Sequence, residues 1–109
     1  MALKHAQTFE AIDLHPLADR LAGGVRSSSL IKSNQLQLMR VVLRAGERLP
    51  EHHVRGEITL QCLEGRAAVQ TPGHHVELGA GQLVLLPAGE PHAVHALLDT
   101  SLLVTVSLQ

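Results

Sequence analysis

The stretch GQLVLLPAGEPHAVH, Gly81 to His95, decides how this chain is read. Leu83–Leu86 is a run of four apolar residues, the pattern of a short strand with little exposed surface. Pro87, Gly89 and Pro91 then stop it, because proline offers no N–H to a sheet ladder and glycine accepts the backbone angles of a tight turn. His92 follows directly, and the apolar pattern resumes in HAVHALL. The stretch is therefore strand, sharp turn, strand, with a histidine at the start of the returning strand.

The same grammar repeats on either side of this stretch. Turn signals stand at Ala45-Gly46, Arg55-Gly56, Glu64-Gly65, Thr71-Pro72-Gly73 and Gly79-Ala80-Gly81. Between and around them lie SSSLIKS, QLQLMRVVL, EITLQCL, RAAVQ, HHVEL, QLVLL, HAVHALL and SLLVTVSL. Short strands separated by turns every eight to ten residues or so predict an all-β sandwich or barrel and not a βαβ repeat. Gly65 and Gly81 fall at hairpin ends, where a positive φ suits glycine. Residues 1–26 read as an N-terminal extension in which HPLADRLAGG makes one helical turn, Leu17 to Leu21, closed by Gly23-Gly24. Residues 27–109 form the domain proper.

Composition narrows the function classes. A chain of 109 residues with 45% apolar and 17% charged residues can bury a core of its own. The net charge is −1 and the basic residues are scattered, so the footprint of a nucleic-acid binder is missing. Phe9 is the only aromatic residue, which excludes stacking as a recognition mode. Apolar runs fall far short of the roughly 20 residues that span a bilayer, so no membrane is expected. One cysteine, Cys62, and an N-terminus without a signal-peptide pattern set the expectation of a reducing, cytoplasmic location.

The chemistry-bearing residues are histidines. There are eight, and six stand between His52 and His95: His52-His53, His74-His75, His92 and His95. Neutral imidazole is the commonest protein ligand for several divalent metals, provided that side chains from different strands converge. His74-His75 follows Pro72-Gly73 and reads as a solvent-facing turn pair. His95, three residues after His92, should face the other side of an ideal strand.

Two segments now carry a family resemblance. Gly46 to His52, followed by Glu57 and CLEG ending at Gly65, resembles the first signature of the cupin superfamily. Gly81, Pro87, Gly89 and His92 resemble the second, in register, with a short hairpin between. The resemblance covers about residues 36 to 108 and implies a small, single-domain, RmlC-like protein: an antiparallel jelly-roll β-barrel with a short N-terminal arm. It also implies a homodimer, by sheet packing or arm exchange, and the run LLVTVSL near the C-terminus is expected to be an exposed apolar surface that serves it.

For metal-binding members the resemblance implies two histidines two residues apart, a glutamate further on and a third histidine in the second motif. His52 and His92 match the first and last of these. Val54 fills the second histidine slot and Ile58 the glutamate slot, with Glu57 one position early. Because side chains alternate along a strand, Glu57 or His53 could join His52 and His92 only through a kink or bulge, for which Gly56 is placed. The candidate metal set is therefore His52, Glu57 and His92, with His53 as the alternative ligand, for iron, manganese, zinc or nickel. A degenerate member with no metal is the other reading. The position often asparagine in cupins, beyond His92, holds Ala96.

Period two from Ile58 places Leu60 and Cys62 on the inner face, with Leu83, Leu85 and Val94 as neighbours, so the expected pocket is mostly aliphatic. No basic residue adjoins Cys62, which reads as a buried thiol. Two functions fit: a small-molecule-binding cupin, or a metal-dependent dioxygenase, isomerase or decarboxylase acting on a small, partly apolar molecule. No catalytic acid, base or nucleophile is readable beyond the candidate ligands.

Overall fold

The computed structural model describes residues 5–23 and 26–108, so Gly24 of the expected helix stop lies outside the described residues. Among the described residues one short helix, α1 (Leu17–Gly23), precedes nine strands. These are β1 (Ser27–Lys32), β2 (Leu36–Leu43), β3 (Arg48–His52), β4 (Ile58–Glu64), β5 (Arg66–Gln70), β6 (His75–Gly79), β7 (Leu83–Leu86), β8 (His92–Ala96) and β9 (Thr100–Ser107). They form a five-stranded sheet in the order β1-β2-β9-β4-β7 and a four-stranded sheet in the order β3-β8-β5-β6. Every pairing is antiparallel. The result is the expected jelly roll, with the two sheets facing each other and not hydrogen-bonded into a closed ring.

Alternation builds the core. On β4, Ile58, Leu60 and Cys62 are buried, and on β9 so are Leu102, Val104 and Val106. Each fully buried Leu or Val side chain contributes about 1.5–3 kcal/mol relative to exposure. β9 is the middle strand of its sheet, so the LLVTVSL run is not the exposed surface that the dimer expectation required.

Register also corrects the expected pocket. β4 and β7 pair Ile58 with Leu86 and Leu60 with Val84. Partners in a pair share a face, so Leu86 and Val84 turn inward. Leu83 and Leu85 turn outward and are 60% and 59% exposed, contrary to their expected place in the cavity. The sequence hid this because all four residues of the strand are apolar, which leaves its parity undetermined.

The turns meet the sequence expectation. Gly65, between β4 and β5, has φ +89°, and Gly81, between β6 and β7, has φ +87°. At Gly65 a side chain would also run into the Asp99 carbonyl and Thr100.

The N-terminal segment lies against the outer face of the larger sheet beside β2. Leu17 is buried there, and its N–H donates to Glu64 Oε2 at 2.7 Å, which caps the start of α1. Beneath it Arg40 is only 2% exposed, donating from Nε to Ser101 Oγ at 2.7 Å and facing Glu64 at 3.8 Å. Burial, and then the nearby Arg20 guanidinium, push Arg40 below its ordinary pKa, while Glu64 opposes the shift.

A candidate ligand site between His52 and His92

His52 ends β3 and His92 begins β8, and the two are partners across that strand pair. Their meeting depends on one irregularity. From Leu49, paired with Val94, the chain advances three residues to His52 while the partner strand retreats two, from Val94 to His92. Leu49 packs against the core, so in an ideal strand Glu51 and not His52 would face His92. The extra residue is a β-bulge, and it turns His52 toward His92. A bulge was expected near Gly56, to aim Glu57; it lies earlier and aims a histidine.

The ring centroids are 4.4 Å apart and the planes are tilted by 55°. His92 is 1% exposed, whereas His52 is open to solvent. His52 Nδ1 lies 3.2 Å from the Pro50 carbonyl and His92 Nδ1 lies 3.0 Å from the Glu90 carbonyl. A carbonyl only accepts, so each Nδ1 donates. In the neutral rings this leaves Nε2 with the lone pair, ready to accept a hydrogen bond.

Behind the rings lies a partly open cavity of about 80 Å³, walled by Met39, Leu49, Val54, Ile58, Leu60 and Val94 among others. Apart from the two imidazoles its wall is aliphatic or thioether. Three expected pocket residues, Ile58, Leu60 and Val94, are where the sequence placed them. Cys62 is fully buried on the same face but toward the other end of the strand, outside this cavity, with Sγ donating to the Glu64 carbonyl at 3.4 Å. Burial raises the Cys62 pKa, and the opposing pull of Arg66 is smaller. Leu85 lines a separate depression of about 320 Å³ between β6 and β7.

The expected third ligand does not join the pair. Among the described residues, no three His, Cys, Asp or Glu side chains are grouped to hold a metal ion. Glu57 is exposed, and its carbonyl accepts from Ser107 N–H at 2.9 Å; the next residue, Ile58, takes the inward position. Gly56 packs against the Ser107 backbone, so its missing side chain serves close approach, and the Glu57 carboxylate is not re-aimed. His53 is exposed and lines an outer groove. Val54 lines both that groove and the cavity.

The other histidines lie apart. His74 and His75 are exposed at the β5–β6 turn, with His75 Nδ1 at 2.8 Å from Gln70 Oε1. His95 pairs with Arg48 and Ala68 on the outer side of the smaller sheet. Leu49 and Met39 were missed as cavity residues. Met39 could have been found by counting back two from Val41, but Leu49 lies in a strand that the Pro50 signal concealed.

Residues 39–107 match the family model described as the cupin domain. Among solved structures, a conserved protein of unknown function from Streptococcus pyogenes superposes with a TM-score of 0.77 at 22% identity, over 98% of this chain and 96% of that one. A cupin superfamily protein from Desulfitobacterium hafniense gives 0.72 at 20% identity, over 76% of each chain. The DMSP lyase DddQ of Ruegeria pomeroyi gives 0.70 at 29% identity, over 74% of this chain but only 45% of the lyase. No match is found among curated proteins. The two signature segments, the paired sheets and the family match over residues 39–107 together show that this chain belongs to the cupin family.

Proposed function

We propose that this chain is a small-molecule-binding cupin whose ligand sits at the His52 and His92 end of the sandwich. The observation that carries the reading is the pair of imidazoles, 4.4 Å apart, at the wall of an otherwise apolar cavity. With each Nδ1 tied to a backbone carbonyl, the two Nε2 atoms favour a ligand that offers a hydroxyl or N–H donor beside a short aliphatic body. The donors present do not complete the family's metal set. Val54 and Ile58 are apolar in two of its places, and Glu57 stands outside.

A metal-dependent enzyme is the competing reading. It draws on the same tethered imidazoles, since ligating histidines commonly anchor their other ring nitrogen, and on the likeness to a lyase. One experiment separates the two. Protein purified without chelator or affinity tag is assayed for metal and then titrated with n-alkanols from propanol to hexanol, following histidine and methyl resonances. The proposal expects alkanol-dependent shifts at His52, His92 and Val54 in metal-free protein. Absence of those shifts overturns it, and stoichiometric metal that disappears in His52→Ala and His92→Ala favours the enzyme.

The proposal includes a homodimer, formed through the outer face of the larger sheet. Leu83 and Leu85 are the motive: two leucines, 60% and 59% exposed, on the edge strand β7, where a two-fold contact would bury them against their copies. Light scattering should give a dimer for the parent and a monomer for the Leu83→Glu, Leu85→Glu double variant. A parent that is monomeric at micromolar concentration overturns this part.

A further inference from the structure

The inner cavity has a neighbour. A groove of about 500 Å³ lies on the surface at the same end, and it shares Met39, Val54 and Val106 with the cavity wall. Three side chains therefore form the partition between an outer, partly polar space and an inner, apolar one. The polar side of the groove carries Gln37, His53 and Arg55. Arg55 is exposed and makes no ion pair or hydrogen bond among the described residues. The nearest acids in sequence, Glu51 and Glu57, do not line the groove.

We infer that Arg55 is the specificity-determining residue of the ligand site, and that the ligand class is aliphatic monocarboxylates. The carboxylate lies in the groove on the Arg55 guanidinium, and the chain passes the Met39 and Val54 partition toward His92. This deepens the pocket reading above and rests on it: the carboxylate is a second anchor on the aliphatic body, and a hydroxyl or N–H at the far end of the chain meets the imidazoles. Three physical points support the assignment. A guanidinium presents a planar fork of N–H donors that matches a carboxylate in two parallel hydrogen bonds. The partition is made of aliphatic and thioether side chains, and methionine, being unbranched, yields more easily than a β-branched neighbour. Val54 occupies the position between the two spaces with a side chain that offers nothing to a charged group, so an anion stops at the groove while an alkyl chain can go on.

The test compares two ligand series of equal length on the intact chain. Butanoate to octanoate are titrated alongside the matching n-alkanols, with parent, Arg55→Gln and Arg55→Lys proteins, following Val54 and Met39 methyl resonances. Carboxylates should bind the parent about tenfold more tightly than the alkanols. Arg55→Gln should bring carboxylate affinity down to that of the matching alkanol, and Arg55→Lys should restore part of the difference. Arg55 is exposed and makes no hydrogen bond or ion pair with another described residue, so Arg55→Gln should fold as the parent does, which the unperturbed remainder of the spectrum verifies. If alkanols bind and carboxylates bind no better, or the advantage survives in Arg55→Gln, the Arg55 assignment is wrong and the pocket stands. If neither series shifts Val54 or Met39, both fail together.

Discussion

The two ends of the sandwich are built from the same strands and are packed in opposite ways. At the end where β4 turns into β5, Cys62, Ala67, Ala96, Thr100 and Ser101 are all 0% exposed. Thr100 Oγ1 closes that end: it accepts from Arg66 N–H at 3.2 Å and lies within 2.9 Å of the Arg66 carbonyl and 2.7 Å of the Leu98 carbonyl. At the other end a cavity remains between the sheets, a groove adjoins it, and His52, His53 and Arg55 stand in solvent. Small residues and a bonded hydroxyl seal one end, and side chains with unused nitrogens line the other. Stability is concentrated where nothing can enter, which leaves the open end tolerant of change and available for a ligand.

That contrast can be broken most directly with a pair of glycines. Gly65 and Gly89 both have positive φ, +89° and +76°, so alanine pays a similar conformational penalty at each, about 1–2 kcal/mol. They differ in space. A Cβ on Gly65 would overlap the Asp99 carbonyl and come 2.7 Å from Thr100 Oγ1, whereas one on Gly89, in the turn before His92, meets nothing within 4 Å. Gly65→Ala should lose roughly 3 kcal/mol or more in urea unfolding, and Gly89→Ala only the conformational 1–2 kcal/mol. Equal losses would mean that the Gly65 end is no tighter than the histidine end.

The fold was legible because its signals are local. Gly65, Gly81 and the Pro87 to Pro91 turn each demand a particular backbone, and eight of the nine described strands match the runs between turn signals to within two residues at each end. β3 was hidden because Pro50 argues against a strand; it is tolerated on an edge, where β3 pairs only with β8. The site was half legible. His92 follows from its turn, and Ile58, Leu60 and Val94 follow from period two. What was not legible depends on parity: whether Leu83 and Leu85 or Val84 and Leu86 face inward is set by pairing with β4, and whether Glu51 or His52 faces His92 is set by a bulge. Pairing register leaves no mark in residue type, and the one mark at the bulge between Leu49 and His52 is Pro50, which signals a strand edge or end as readily as a bulge.

The smallest effect concerns the two histidines themselves and separates packing from binding within the open end. His92 is buried and its ring fills space between the sheets, so His92→Ala should destabilise by about 1–3 kcal/mol. His52 is exposed, and His52→Ala should stay within about 0.5 kcal/mol of the parent. Yet both rings line the same cavity, so both variants should weaken alkanol binding to a similar degree, as read from the Val54 methyl shifts. Chemical denaturation and titration of the same samples give both quantities. If His52→Ala is as unstable as His92→Ala, His52 belongs to the packed core despite its exposure. If it binds alkanols as the parent does, the bulge that turns it toward His92 serves the strand and not the ligand.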